Sequence, residues 1–242
     1  MLLWRVSFPL HPRARRSYLV GGVGLFGSMA FTYWGARYVH SGLVSVMFGL
    51  SPLVASIMAG IWLGEKSLTP SKISGAMLGA AGLTVIFLNG DALGGERALA
   101  GMAALVIAVI LNSACLVGLK RIGDDSPPTA TTVGVLLVSL PMFAAFWLIT
   151  DGKLPDTIPT RTAASIAYLG VFGSAVGFSL YYYVIKHLKA TKVALITLIT
   201  PVVALLLGNM LNDEIIGPSV WLGTGLILLG LALHQRESLI PL

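Results

Sequence analysis

The sequence predicts an all-α polytopic membrane protein with about eight transmembrane helices. Hydrophobic residues make up 56% of its 242 residues and charged residues only 11%, a composition that soluble globular domains do not have. Eight apolar runs follow one another, each close to the roughly 20 residues that a helix needs to cross a bilayer. Because backbone amides in lipid must be paired within their own segment, and the sequence lacks the alternation of a membrane barrel, we predict helices.

The eight predicted spans are separated by short polar segments and have almost no charge in their interiors. They cover approximately residues 18–38, 42–63, 71–89, 98–119, 129–150, 163–186, 192–211 and 219–235.

The chain also contains an internal repeat, with a constant offset of 149 residues between its two copies. Past the aligned glutamates one residue drops out of the second copy, and a shared G-x-x-L-x-x-x-G-L string follows, starting at Gly75 and at Gly223. A repeat of apolar helices is typical of membrane transporters. The aligned pairs are Tyr33 with Tyr182, Ser51-Pro52 with Thr200-Pro201, and Glu65 with Glu214.

The basic residues predict the orientation of the chain. If the amino terminus is cytoplasmic, twelve of the sixteen Lys and Arg residues fall on the inner side and four on the outer side. This excess is the positive-inside bias, so we predict an inner-membrane protein with both termini in the cytoplasm. The basic residues are scattered over short loops, and therefore a nucleic-acid partner is not predicted.

This orientation predicts that the two copies are inverted. The span that contains Pro52 runs inward and the span that contains Pro201 runs outward, as expected when each unit has an odd number of helices. We assign three helices to residues 1–90 and five to residues 98–236. The counterparts of the second copy's first two helices would precede Met1, so we expect the first copy to lack them. A transport-inactive relic or accessory subunit is the alternative to a carrier, and a homodimer or partner subunit is possible.

These motifs resemble those of EamA-type transporters of the drug/metabolite transporter superfamily. The resemblance rests on Leu50-Ser51-Pro52-Leu53, on Leu63-Gly64-Glu65-Lys66, on the glycine string and on their second-half counterparts. It implies a ten-helix design of two inverted five-helix repeats that move a small solute by alternating access. In that family the first helix helps to line the central cavity, so without it we expect a cavity open to lipid on one side.

The two proline motifs predict where a substrate cavity lies. Proline inside a helix removes an amide donor and frees a backbone acceptor, which is tolerated at bilayer depth only in protein or beside a cavity. Both prolines fall near the middle of their predicted spans. There they would act either as hinges that open and close the cavity or as fixed bends. The predicted cavity residues are Tyr33, Ser51, Pro52, Asn112, Tyr182, Thr200 and Pro201.

Several of these residues have a second interpretation. The tyrosines suit either a cavity or an interfacial belt, and Asn112 suits either substrate binding or a bond between helices. Glu65 and Glu214 lie at helix ends, where we expect them to anchor loops or cap helices rather than to couple protons.

No catalytic motif or metal-ligand spacing is present in the sequence, so we predict neither an enzyme nor a cofactor. The lack of charge at mid-depth favours a neutral, zwitterionic or amphipathic solute, with the lipid bilayer as the other partner.

Overall fold

A computed structural model describes residues 8–64, 69–88, 97–150, 152–153, 157–176, 190–214 and 216–239, and within these ranges the chain contains helices and no strand. Side chains are not described at 128–129, 173–176, 190–198 and 235–239. The helices are α1 Pro12–Gly35, α2 Ser41–Phe48, α3 Ser51–Leu63, α4 Pro70–Leu88, α5 Ala98–Ile122, α6 Pro128–Thr150, α7 Thr160–Tyr168, α8 Ala190–Asn212 and α9 Pro218–Leu239.

Seven of the predicted spans each correspond to one of these α-helices, at least in part, and the span predicted at 42–63 corresponds to two, α2 and α3. The stretches Ser41–Leu63, Pro70–Leu88, Ala98–Ile122 and Ala130–Thr150 are long and apolar enough to cross a membrane, and Ile199–Asn212 and Pro218–His234 are shorter apolar helices. α7 continues as the π-helix Leu169–Val176, and the rest of its predicted span lies outside the described residues. The chain is therefore an all-α polytopic membrane protein.

The first helix begins six residues earlier than predicted. α1 starts at Pro12. Proline is favoured as the first residue of a helix, because the amide at that position has no partner within the helix. The ring of His11 accepts a hydrogen bond from the amide of Ala14 at 3.2 Å and so caps this end. The arginines of the first turns are thereby held on a helix instead of a loop.

The two proline-containing spans differ in their backbones. The first is interrupted by a turn at Gly49–Leu50, and Pro52 is the second residue of α3. At this position the proline needs no amide partner, so the break lies just before it. The second span passes through Pro201 without interruption.

Helices α4 and α9 pack most closely, and glycines make this possible. A Cβ at Gly75 would overlap the carbonyl oxygen of Gly230, and a Cβ at Gly82 would overlap that of Gly223. In the sequence repeat Gly75 corresponds to Gly223 and Gly82 to Gly230. Each contact therefore joins the first glycine of one copy to the second glycine of the other, and the two contacts are equivalent. Reciprocal pairing of this kind is what a two-fold axis between equivalent elements produces.

The other main contacts assemble the bundle around a buried core. α1 packs against α5 and α6, α2 against α8, and α3 against α5. α1 and α5 run in opposite directions, because the last residue of α1, Gly35, meets Gly101 near the start of α5. The fully buried core side chains include Leu43, Val46, Met47, Met102, Leu105, Leu205 and Ile227.

Candidate functional site

The break between α2 and α3 meets the middle of α8 at a small cavity. Its volume of about 240 Å³ would hold about eight water molecules at roughly 30 Å³ each. No ionisable residue is among its described lining residues. These are Ser45, Phe48, Gly49, Ser51, Pro52, Thr200 and Pro201.

The cavity lies where equivalent positions of the repeat face each other. Four of its lining residues belong to the aligned Ser51-Pro52 and Thr200-Pro201 pairs. The α2 backbone approaches α8 closely on one side of the cavity: a Cβ at Gly42 would lie 2.7 Å from Leu205 Cα. The two spans therefore cross in direct contact, with the cavity next to the crossing.

A serine on α5 holds the first turn of α3 beside this cavity. The buried hydroxyl of Ser113 donates a hydrogen bond to the carbonyl oxygen of Ser51 at 3.2 Å. A serine hydroxyl beside a proline break can bond to the loosened backbone. Ser51 Oγ, however, is buried without a hydrogen-bond partner within the described structure. The Ser51 hydroxyl therefore lies within the wall of the cavity and has almost no accessible surface there.

Two of the other predicted site residues, Tyr33 and Asn112, lie outside the small cavity. Tyr33 is 67% exposed near the end of α1, which is the environment that the interfacial alternative requires. Asn112 is half-buried on α5 and is not among the described lining residues of the small cavity. Tyr182 lies outside the described residues.

The sequence interpretation missed Ser113, Ser45 and Phe48. Ser113 immediately follows Asn112, and adjacent helical residues point about 100° apart. Nothing in the sequence shows which face of α5 meets α3. Phe48 could have been found from the sequence. In a continuous helix the residue at position 52 would donate a hydrogen bond to the carbonyl of Phe48, four positions earlier, and a proline cannot do so.

A larger cavity lies on the other side of Pro52. Its volume is about 560 Å³ and its apolar wall includes Ala55, Ala59 and Leu116. This volume is in the range of small-molecule sites. Because Pro52 lines both cavities, one adjoins the other. Its basic lining residues come from the ends of three helices: Lys72 of α4, Lys120 of α5 and His234 of α9.

The opposite end of α2 is held by a carboxylate. Glu214 Oε1 accepts a hydrogen bond from the backbone amide of Ser41, the first residue of α2, at 2.9 Å. Asn209 Nδ2 donates to the carbonyl oxygen of Glu214 at 2.8 Å and fixes the loop. The prediction that Glu214 caps a helix is confirmed, and the helix belongs to the other half of the chain. Glu65 lies outside the described residues.

The charge of Glu214 is maintained by this contact. Burial alone raises the pKa of its carboxyl. The hydrogen bonds from Ser41 and Gly42, together with the nearby His40, outweigh that effect and leave the pKa below its usual value. The positive end of the α2 helix dipole favours the same ionised state.

Apolar side chains fill the space between Glu214 and the small cavity. Leu43 and Leu205 are fully buried there, on the turns of α2 and α8 that separate the two, where Gly42 packs against Leu205. The small cavity is thus closed towards Glu214, whereas on its other side it adjoins the 560 Å³ cavity with its basic residues.

Two crossing apolar spans with a cavity next to the crossing, closed on the Glu214 side by described residues, are the features expected of a membrane transport protein. The chain belongs to the EamA-like transporter family, whose sequence pattern matches residues 1–88 and 99–234. The sequence resemblance is therefore confirmed.

Individual relatives agree with this assignment. The chain is 27% identical over 230 residues to an uncharacterized transporter of Archaeoglobus fulgidus, covering 90% of this chain and 77% of the relative. It is 28% identical to a probable terminal-alkyne amino-acid exporter of Streptantibioticus cattleyicolor, covering 94% and 76%. A solved crystal structure with 19% identity superposes with a TM-score of 0.59, covering 91% of this chain and 76% of the other, and shares the fold.

Proposed function

We propose that this chain is a carrier that exports a small neutral, zwitterionic or amphipathic solute by alternating access. Residues 1–90 and 98–236 would form the two inverted repeats, which rock about the cavity at the proline motifs. The equivalent glycine contacts between α4 and α9 support this arrangement, because they have the reciprocity of a pseudo-two-fold axis.

The observation that carries the proposal is the asymmetry around the small cavity. On one side the Glu214–Ser41 contact and the buried apolar side chains of α2 and α8 close the path. On the other side the cavity adjoins the larger one with its lysines. With the amino terminus in the cytoplasm, as the basic residues favour, this arrangement is an inward-facing carrier that receives its solute from the cytoplasm.

The chemistry of the cavities favours amino-acid-like solutes. The small cavity offers hydroxyl groups beside the ring of Phe48 and no charge among its described lining residues. Lys72 and Lys120 would attract a carboxylate to the larger cavity before it reaches this uncharged site. One relative is named as a probable amino-acid exporter, so neutral amino acids are the first solutes to test.

Glu214 would act as the outer latch. Opening the outer side requires the start of α2 to separate from the end of α8, which breaks the 2.9 Å hydrogen bond to Ser41. That bond is made to a charged acceptor, and such bonds contribute about 1.5–3 kcal/mol. The latch therefore biases the carrier towards the inward-facing state.

Proteoliposomes test the transport proposal. Vesicles that contain the protein and a panel of labelled neutral, acidic and basic amino acids should exchange at least one neutral solute faster than empty vesicles. Ser45→Phe should fill the cavity and abolish this exchange. Ser165→Phe, at an exposed position on α7, should retain it. Equal exchange by the two variants would refute the placement of the site.

A further inference from the structure

A second basic cavity lies at the ends of α1, α3 and α5, on the same side of the bundle as Lys72 and Lys120. Its volume is about 480 Å³. Three arginines line it: Arg13 and Arg16 from the first turns of α1, and Arg121 from the last turn of α5. Trp62, near the end of α3, is also in its wall.

None of these three guanidinium groups has an ion-pair partner among the described residues. The nearest acidic residue in sequence, Asp124, is engaged elsewhere: its Oδ1 lies 3.5 Å from His11 Nε2 and accepts a hydrogen bond from Ser126. The arginines therefore form a cationic cluster in which no guanidinium group lies within ion-pair distance of a carboxylate of the described residues.

The basic cavity continues into an apolar groove between α1 and α5. The groove has a volume of about 480 Å³ and shares Val20, Trp62 and Gly118 with the basic cavity. Beyond these residues it is lined by aliphatic side chains and Cys115. Leu19 and Val23, which border it, are more than half exposed. One end of this combined surface is therefore cationic and the other is apolar.

We propose that this surface binds an anionic diacyl phospholipid. Guanidinium groups pair with phosphate oxygens through parallel hydrogen bonds, and basic pockets between transmembrane helices bind anionic headgroups. The acyl chains would lie in the groove along α1 and α5, and Trp62 would lie at the headgroup level where tryptophan is enriched. The assignment of this lipid to the cytoplasmic leaflet rests on the proposed topology.

Charge complementarity selects this occupant over a second copy of the chain. A helix of another copy would match the apolar groove but would have to place acidic groups beside three arginines. A phospholipid carries its negative charge and its apolar chains in the required order. The positive-inside bias explains why arginines lie on this side of the membrane. It does not explain why three of them line the same cavity. Arg15, on the same turn of α1, is not among the described lining residues.

Lipid titration of the purified protein tests the proposal. Native mass spectrometry with phosphatidylglycerol, and in parallel with phosphatidylcholine, should show tighter binding of the anionic lipid. An arginine near the lipid surface is worth about fivefold in affinity. Arg13→Gln, Arg16→Gln and Arg121→Gln should each weaken phosphatidylglycerol binding by about this factor, and the triple variant by roughly a hundredfold.

Arg15→Gln is the matched control, because it removes the same charge from the same helix end. It should leave phosphatidylglycerol binding within about twofold of the parent protein. Equal loss from Arg15→Gln and Arg16→Gln would overturn the proposal, because it would indicate diffuse attraction. A dimer without added lipid mass would also overturn it, because a second copy would then occupy the groove.

A fluorescence measurement keeps the proposal testable if an arginine variant folds poorly. Phosphatidylglycerol with brominated acyl chains should quench the emission of the unaltered protein, and Trp62→Phe should remove a large part of that quenching. Quenching of the same size in the Trp62→Phe protein, or by brominated phosphatidylcholine at the same concentration, would contradict a headgroup site at this place.

Discussion

Replacing Glu214 with alanine should loosen the junction between the start of α2 and the end of α8. The change removes the acceptor of the 2.9 Å hydrogen bond from Ser41. A bond to a charged group is worth about 1.5–3 kcal/mol. Because the carboxylate is partly exposed to solvent, we expect about 1–2 kcal/mol. At about 1.4 kcal/mol per factor of ten, the outward-facing population should rise roughly 5- to 30-fold.

Cysteine labelling measures that population. In a Cys115→Ala background, Ser45→Cys places a thiol at the small cavity, and a small membrane-impermeant reagent is added from the Glu214 side. Glu214→Ala should accelerate labelling by the same 5- to 30-fold. Asp213→Asn is the matched control: it removes the neighbouring charge, and its left-handed backbone, with φ of 51°, is one that asparagine tolerates. An unchanged rate in Glu214→Ala, or an equal increase in Asp213→Asn, would refute the latch.

Three further predictions concern pH and packing. The labelling difference between the parent protein and Glu214→Ala should stay constant from neutral pH down to the ordinary pKa of a glutamate carboxyl, and be lost only as the pH falls further through the lowered pKa of Glu214. A difference that is already lost above the ordinary glutamate pKa would contradict this. Gly230→Ala should destabilise the protein by about 1–3 kcal/mol in thermal unfolding, because the added Cβ would overlap the Gly75 carbonyl oxygen across the α4–α9 contact. Gly225→Ala is the control on the same helix. A Cβ there has no other atom within 4 Å, so this change should stabilise α9 by about 0.5–1 kcal/mol. Ser113→Ala should cost about 1 kcal/mol through the lost bond to α3, and no change in melting temperature would indicate that this bond is not a net contributor.

The sequence was sufficient to predict the helices, because apolar length and the need to pair every amide leave few alternatives in lipid. Details that depend on side-chain direction were less accessible. The proline rule predicted a disturbed backbone at Pro52, but the break lies at Gly49–Leu50, where the glycine also allows contact with α8. Asn112 was selected over Ser113 because amide groups are costly in lipid, yet Ser113 is the one that faces α3.

Long-range pairing was the least predictable feature. The repeat showed that Glu214 has a counterpart in Glu65, but no pattern in the sequence indicates that it caps a helix of the other half, 173 positions away in sequence. The basic cavity is a similar case, because Arg13, Arg16 and Arg121 come together through the antiparallel packing of α1 and α5.

A disulfide across the outer latch tests alternating access most directly. A Cβ built at Gly208 lies 3.2 Å from Ser41 Oγ and overlaps Glu214 Oε2, so the carboxylate has to be removed first. In a Cys115→Ala, Glu214→Ala background, Ser41→Cys and Gly208→Cys place two sulfurs within bonding reach, and the disulfide takes the place of the latch. We predict that oxidation stops solute exchange in proteoliposomes, that reduction restores it, and that neither single-cysteine variant responds to oxidant. Undiminished exchange by fully cross-linked protein would contradict the proposal that α2 and α8 must separate for the solute to leave.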